Sequence, residues 1–104
     1  MATYLLAYRG GSVAQTDEER EAAMAAWGAW FGSLGGAVSD AGNPFGPSAT
    51  ASSDGRISDG GTSSLTGYSI IQADDLATAT TMIKDCPLLS SGGAVEVYET
   101  LPVM

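Results

Sequence analysis

A long run of small and polar residues in the middle of the chain is the feature that most constrains its fold. From Gly42 to Gly67, twenty of twenty-six residues are Gly, Ser, Thr, Asn, Asp or Pro. Such a composition is typical of a loop or of a linker between domains. With 104 residues in all, neither flanking part is long enough to bury a core of its own. We therefore predict one domain over residues 1–104, in which this run is an internal loop that contains a strand near residues 48–54.

Three further segments have the pattern of β-strands. Residues 3–9 place apolar side chains on both faces, which is expected of a strand in the middle of a sheet. Residues 65–73 alternate in the same way, and residues 94–100 form the last strand. With the strand in the loop, the sequence predicts four strands.

A first helix is predicted from about Asp17 to about Leu34. Thr16 followed by Glu19 forms a capping box, and Gly35 stops the helix. Trp30 faces another side than the apolar stripe; we expect it, like Trp27, to pack in the core, and the alternative is a place at a pocket edge or a dimer seam. The stripe that should pack into the core consists of Met24, Trp27, Phe31 and Leu34.

A second helix is predicted after Asp74 or Asp75, either of which has the side chain of an N-cap. Pro87 should stop this helix, because a proline cannot continue one. Cys86, the only cysteine of the sequence, is expected to be a small buried apolar residue. The inner stripe of the helix is Leu76, Ala79 and Ile83.

The order β-α-β-β-α-β predicts an α+β, ferredoxin-like fold with an antiparallel sheet and both helices on one face. The first and third strands then lie in the middle, and the other face of the sheet stays uncovered. A bare apolar face is unusual on a stable monomer, so we predict a homodimer that joins sheet to sheet. The apolar candidates for that face are Tyr4 or Leu5, Tyr68 or Ile71, and Val95 or Val97.

The charge and composition exclude several kinds of partner and chemistry. A net charge of −8 disfavours nucleic acid and anionic membranes. The sequence has no histidine, so it lacks the commonest general base and the commonest metal ligand. We expect no metal and no cofactor, and the lone cysteine and lack of a signal-peptide pattern favour a cytoplasmic protein.

Several sequence segments resemble the YCII-related family, in its DGPF-domain branch. The segments are "MATYLLAYRG", "DGRISDG", "TGYSIIQADDLATA", "KDCP" and "GGAVEVYETLPVM", and they cover nearly the whole chain in the family's order. The resemblance implies a ferredoxin-like fold and a dimer of the α/β-barrel type. Asp59-Gly60 matches the first half of the family's Asp-Gly-Pro-Phe motif, whereas Gly61-Thr62 replaces its second half.

The sequence offers five candidate site residues. Asp59 is the candidate catalytic residue, because burial against Tyr8 and Tyr68 would raise its pKa and allow general-base chemistry. Alternatively, Asp59-Gly60 is a simple turn. Arg9 and Arg56 are candidates for binding an anionic ligand such as a carboxylate, or else they form surface ion pairs with nearby acids.

Two functions remain open at this point. The first is a YCII-like small-molecule-binding protein that acts as a lyase or related enzyme on a small organic acid, with Asp59 as its acid-base group. The second is a dimeric binding or accessory module without catalysis, because the chain lacks the histidine that some relatives pair with an aspartate. The sequence does not decide between an enzyme and a binding protein.

Overall fold

The computed structural model describes residues 1–11, 14–61 and 63–103. Along these residues, one strand precedes the first helix, four strands follow it, and two helices precede the last strand. Short 3-10 turns follow the first two helices, at Gly35–Ala37 and Ile83–Asp85. The elements are β1 (Ala2–Arg9), α1 (Asp17–Leu34), β2 (Val38–Asp40), β3 (Ala49–Ala51), β4 (Ile57–Asp59), β5 (Leu65–Ala73), α2 (Leu76–Met82), α3 (Pro87–Ser90) and β6 (Ala94–Thr100).

A four-stranded antiparallel sheet in the order β2-β5-β1-β6 is the centre of the molecule. β1 and β5 lie in the middle, as their two apolar faces predicted. β1 pairs along its length with both neighbours, and its partner in β5 shifts by one residue between Tyr8 and Arg9. The combination of this sheet with separate helices makes the protein α+β.

The prediction that residues 48–54 supply the second strand of this sheet is wrong. Residues 49–51 instead pair with β4 in a separate two-stranded ribbon. The edge strand is β2, whose three residues are too few to show an alternating pattern. The turn at Asp54-Gly55 does close a hairpin, because the Gly55 N–H donates to the Ser52 carbonyl at 2.9 Å and Gly55 has a φ of 87°.

The ends of the helices follow from their capping residues. Thr16 caps α1, and its hydroxyl accepts a hydrogen bond from the Glu19 N–H at 3.1 Å. Asp75 caps α2 by accepting from the Thr78 N–H at 2.8 Å. Pro87 does more than stop a helix, because it occupies the first turn of α3, where the missing N–H costs nothing.

The core lies between the helices and one face of the sheet. Alternate residues of β1 and β5 point into it, together with one side chain of α1 and several from the chain after Asp75. Cys86 is among them and is 3% exposed, which confirms the prediction that it is buried. The buried residues of this core are Tyr4, Leu6, Tyr8, Trp30, Ile71, Ala73, Ala79, Ile83, Cys86 and Leu88.

Both tryptophans pack in or against the core, as expected. Trp30 is the buried residue of α1 and does not lie at a pocket edge or a dimer seam, which was the alternative. Its indole N–H donates to the Met82 carbonyl at 3.1 Å and so joins α1 to the end of α2. Trp27 is only half-buried. Helical spacing defines a stripe but not which flank of it is buried most deeply, and here Trp30, beside the stripe, is buried more deeply than Trp27.

The sheet face opposite the helices carries a second set of apolar side chains. Leu5 lies opposite Ile70 and Tyr98, and Ala7 lies opposite Tyr68, so all five share one face. The molecule measures 44 × 40 × 19 Å along its principal axes, and 19 Å corresponds to one sheet with one layer of helices. Tyr98 is 52% exposed on this face.

Candidate functional site

A cavity of about 470 Å³ lies beside the core, between α1, the segment after β2 and the start of β5. Its volume is within the range that holds small organic ligands. The helix contributes Arg20, Ala23, Met24, Trp27 and Phe31. The rest of the wall comes from Tyr8, Ala14, Ala41, Gly42, Asn43, Pro44, Thr66, Gly67, Tyr68 and Leu88.

Three residues of the apolar stripe of α1, Met24, Trp27 and Phe31, line this cavity. Trp27 and Phe31 also pack against the core, as the sequence pattern predicted. Met24 is 70% exposed and lies on the cavity side of the helix. The Trp27 ring meets the Tyr8 ring edge-on, with 5.1 Å between centroids. It also lies 5.9 Å from the Phe31 ring. These three rings give the cavity an aromatic wall that suits a flat apolar ligand.

The segment 41–44 forms the opposite wall, and backbone hydrogen bonds hold this segment and Phe45 to β5. The Phe45 N–H donates to the Thr66 carbonyl at 2.9 Å, and the Tyr68 N–H donates to the Asn43 carbonyl at 3.3 Å. Gly42 has a φ of 78°, and a Cβ added there would lie 1.7 Å from the Tyr68 carbonyl oxygen. Glycine is therefore required at this point of the wall.

A buried pair of hydroxyls connects the sheet to this segment. The Tyr8 hydroxyl donates to Ser69 Oγ at 2.6 Å, and Ser69 Oγ donates to the Ala41 carbonyl at 2.6 Å. Ser69 is fully buried and Tyr8 is nearly so. Burial is the main reason that the pKa of Tyr8 is raised to about 12, so its hydroxyl stays protonated near neutral pH.

Of the residues predicted to form the site, Tyr8 and Tyr68 do line the same cavity. Asp59 does not lie with them among the residues that form this cavity in the described chain. It is exposed, at the end of β4, where it pairs with Ala49. The burial against the two tyrosines that the general-base hypothesis required is therefore not present.

The two predicted anion-binding arginines lie away from the cavity and have acidic partners. Arg9 donates to Glu96 Oε2 at 2.6 Å on the open face of the sheet. The Glu96 carboxylate also accepts from the Tyr98 hydroxyl, and hydrogen bonds from Tyr98 and Arg9 lower the pKa of Glu96. Arg56 lies 3.7 Å from Asp54 in the exposed ribbon turn, which is the surface pairing allowed as an alternative.

Arg20 is the arginine that the structure places at the cavity. It comes one turn before Met24 on the same side of α1, and its guanidinium donates to Asp17 at 2.7 Å. Both side chains of this pair are largely exposed. The sequence analysis gave Arg20 no role, and its spacing from Trp27 by two helical turns is the signal that could have placed it at the cavity.

A second cavity of about 420 Å³ lies where the ribbon joins the sheet. Small residues form most of its wall, with Phe45 and Leu65 as its large apolar side chains. Phe45 stacks on the Tyr68 ring, with 5.8 Å between centroids. This cavity offers a ligand fewer aromatic contacts than the first, so we take the first as the candidate site.

The described residues offer little for other chemistries. Burial raises the pKa of the Cys86 thiol, which disfavours the reactive thiolate. No three acidic or cysteine side chains within residues 1–11, 14–61 and 63–103 are grouped to hold a metal ion. Over the same residues, no helix has both the length and the apolar content needed to cross a membrane.

Comparisons with known proteins give no relative. The chain matches no protein-family model, and neither the curated proteins nor the solved structures include one that is significantly similar.

Proposed function

We propose that this protein is a dimeric small-molecule-binding module similar to the YCII-related family, with a ferredoxin-like fold. Its ligand has a flat apolar body that fills the cavity beside α1. The observation that carries the proposal is the aromatic wall of Tyr8, Trp27 and Phe31 around about 470 Å³ of space. Pockets of this size with aromatic walls and few polar groups are typical ligand sites.

We also propose that the ligand is a small organic acid and that Arg20 binds its carboxylate. Arg20 is the arginine on the cavity wall, whereas Arg9 and Arg56 have acidic partners elsewhere. Its hydrogen bond to Asp17 uses one terminal nitrogen of the guanidinium. The remaining N–H groups have the geometry to donate to a carboxylate.

The geometry favours the binding module over the lyase. An acid-base enzyme needs a group that exchanges a proton near its working pH. Asp59 is exposed, and the pKa of the cavity's Tyr8 is about 12. If Asp59 were catalytic, Asp59→Asn would abolish turnover of any acid that the protein converts. We expect that substitution to leave the affinity for cavity ligands unchanged within about twofold, because surface changes usually have small effects.

The fold and assembly of the proposal have structural support. The strand order β2-β5-β1-β6 is the arrangement in which two crossovers interleave, and α1 and α2 pack on the same face. The other face carries Leu5, Ile70 and Tyr98, so a second copy is the economical cover for it.

The test of the proposed ligand uses naphthalene-2-carboxylate and the neutral naphthalene-2-carboxamide, which has nearly the same shape. Binding of each is measured by calorimetry or by protein NMR titration. We expect the carboxylate to bind about two- to fivefold more tightly, as for an exposed ion pair. Arg20→Gln should remove this difference, and Arg56→Gln, a matched change away from the cavity, should keep it.

Two results would contradict the proposal in different ways. If neither naphthalene compound shifts the resonances of Tyr8, Trp27 and Phe31, the cavity is not a ligand site. If both bind equally to the wild-type protein, the cavity binds aromatic molecules, but Arg20 does not select acids.

A further inference from the structure

The Ala41 carbonyl determines which groups donate in the two hydrogen bonds that join Tyr8, Ser69 and Ala41. The Ala41 carbonyl has no proton, so the Ser69 hydroxyl must donate to it over the 2.6 Å that separates them. A serine hydroxyl has one proton, and Ser69 Oγ therefore accepts the proton of Tyr8, also at 2.6 Å. Ser69 is fully buried, so water does not compete with either bond.

The Tyr8 oxygen is consequently left as an acceptor. Its proton is committed to Ser69, while a phenol oxygen has further lone-pair capacity. Tyr8 and Ala41, the two ends of this chain of hydrogen bonds, both line the cavity. Through Ser69, the Tyr8 oxygen is two hydrogen bonds away from the Ala41 carbonyl, so it lies between two residues of the wall, while the Tyr8 ring meets the ring of Trp27.

A ligand that fills the cavity and reaches this oxygen displaces the water around it. A ligand N–H or O–H group placed there gains a hydrogen bond, whereas a ligand acceptor faces the lone pairs of Tyr8 and gains none. Discrimination of this kind is strong when the polar wall group is buried. The nearby Thr66 hydroxyl is not a competing donor for this oxygen, because it donates to the Tyr8 carbonyl at 3.2 Å.

We infer that Tyr8 is a specificity-determining residue and that the cavity selects flat aromatic molecules that carry an N–H or O–H donor. This inference rests on the proposed function, since it names a feature of the ligand of the same cavity. It does not depend on the proposed role of Arg20, which is to bind the carboxylate of the ligand.

The test compares indole with benzofuran, which has the same shape but an oxygen acceptor in place of the N–H donor. Dissociation constants are measured by NMR titration of the labelled protein. We expect indole to bind about three- to tenfold more tightly, which is the contribution of one neutral hydrogen bond. Tyr8→Phe should bring the ratio to about one. Tyr98→Phe is the matched control, because it removes a tyrosine hydroxyl from the opposite sheet face, and it should leave the ratio unchanged.

A second variant keeps the test valid if Tyr8→Phe does not fold. Ser69→Ala frees the proton of Tyr8, which can then donate to benzofuran as well as accept from indole. We expect the preference for indole to fall in this variant. An unchanged preference in either variant overturns the inference.

The controls separate this inference from the proposed function. Equal binding of indole and benzofuran to the wild-type protein overturns the role of Tyr8, while the cavity remains a ligand site. Binding of neither compound, with no shift of the cavity resonances, overturns the proposed function itself.

Discussion

Gly42 shows how one residue determines the position of a cavity wall. A Cβ at this position would lie 1.7 Å from the Tyr68 carbonyl oxygen, and the φ of 78° is unfavourable for any other residue. We therefore expect Gly42→Ala to push residues 41–45 away from β5. The free energy of unfolding should fall by about 2 kcal/mol or more.

Gly36→Ala is the matched control for this change. Gly36 lies in the 3-10 turn after α1, its φ is outside the left-handed region, and a Cβ there would meet no atom within 4 Å. The free energy of unfolding of the Gly36→Ala variant should stay within about 0.5 kcal/mol of the wild-type value. Urea denaturation of both variants is the measurement, and an equal effect of the two substitutions would contradict the role given to Gly42.

The buried Tyr8 predicts a loss of stability at high pH. Its pKa is about 12 in the folded protein and 10.0 in an exposed tyrosine, so the unfolded chain loses this proton first. The contribution of protonated Tyr8 to the free energy of unfolding is complete below about pH 10 and is lost as the pH rises toward 12. It amounts to about 1 to 2 kcal/mol after allowance for solvent screening.

The measurement is urea denaturation at a series of pH values between 8 and 12, on the wild-type protein and on Tyr8→Phe. The variant should lose less stability over this interval than the wild type. Parallel curves would show that Tyr8 titrates normally and is less buried than the structure indicates.

At the scale of elements, Trp30 joins two helices whereas Trp27 lines a cavity. Trp30→Phe removes the hydrogen bond to the Met82 carbonyl and leaves space in the core. We expect it to lower the free energy of unfolding by about 2 to 3 kcal/mol. Trp27 is half-buried, so Trp27→Phe should lower the free energy of unfolding by less than about 1 kcal/mol.

The variants Trp27→Phe and Trp30→Phe should also differ in their affinity for a cavity ligand. Trp27→Phe is expected to weaken binding of naphthalene-2-carboxylate, because Trp27 supplies part of the aromatic wall. Trp30→Phe should leave that affinity nearly unchanged. Thermal denaturation and NMR titration of both variants are the measurements, and the reverse assignment of the two effects would contradict the orientation of α1.

The elements differ in how far their sequences determine them. α1 could be predicted over Asp17–Leu34 because Thr16 and Gly35 specify both of its ends. β5 could be predicted because nine residues are enough to show alternation. β2 could not, since Val38–Asp40 is too short to have a period, and its place depends on pairing with β5.

The candidate site was less predictable than the fold. Tyr8 and Tyr68 were identified from the sequence, but Arg20 and Phe31 were not assigned to a cavity. A helical stripe has the same spacing whether it meets a sheet or an open space beside it. Asp59 was chosen for its Asp-Gly motif, and the motif reflects a turn in which Gly60 has a φ of 84°.

At the scale of the whole molecule, the open face of the sheet predicts the proposed homodimer. Ile70 lies near the centre of that face, opposite Leu5. We expect the wild-type protein to sediment as a dimer at micromolar concentration. Ile70→Lys should shift it to a monomer, because the charge would be desolvated between the two sheets.

Ile57→Lys is the matched control, since Ile57 is 67% exposed on the ribbon and lies outside the four-stranded sheet. It should leave the sedimentation unchanged. A monomeric wild-type protein, or a dimer that survives Ile70→Lys, would contradict assembly through this face.

The way residues 41–45 are fastened to β5 has a consequence for the evolution of such a protein. The attachment uses main-chain groups and one glycine, so the side chains of Asn43 and Pro44 are free to vary without loosening the sheet. Substitutions in this part of the cavity wall can therefore change which ligands bind, while the sheet and its hydrogen bonds stay the same.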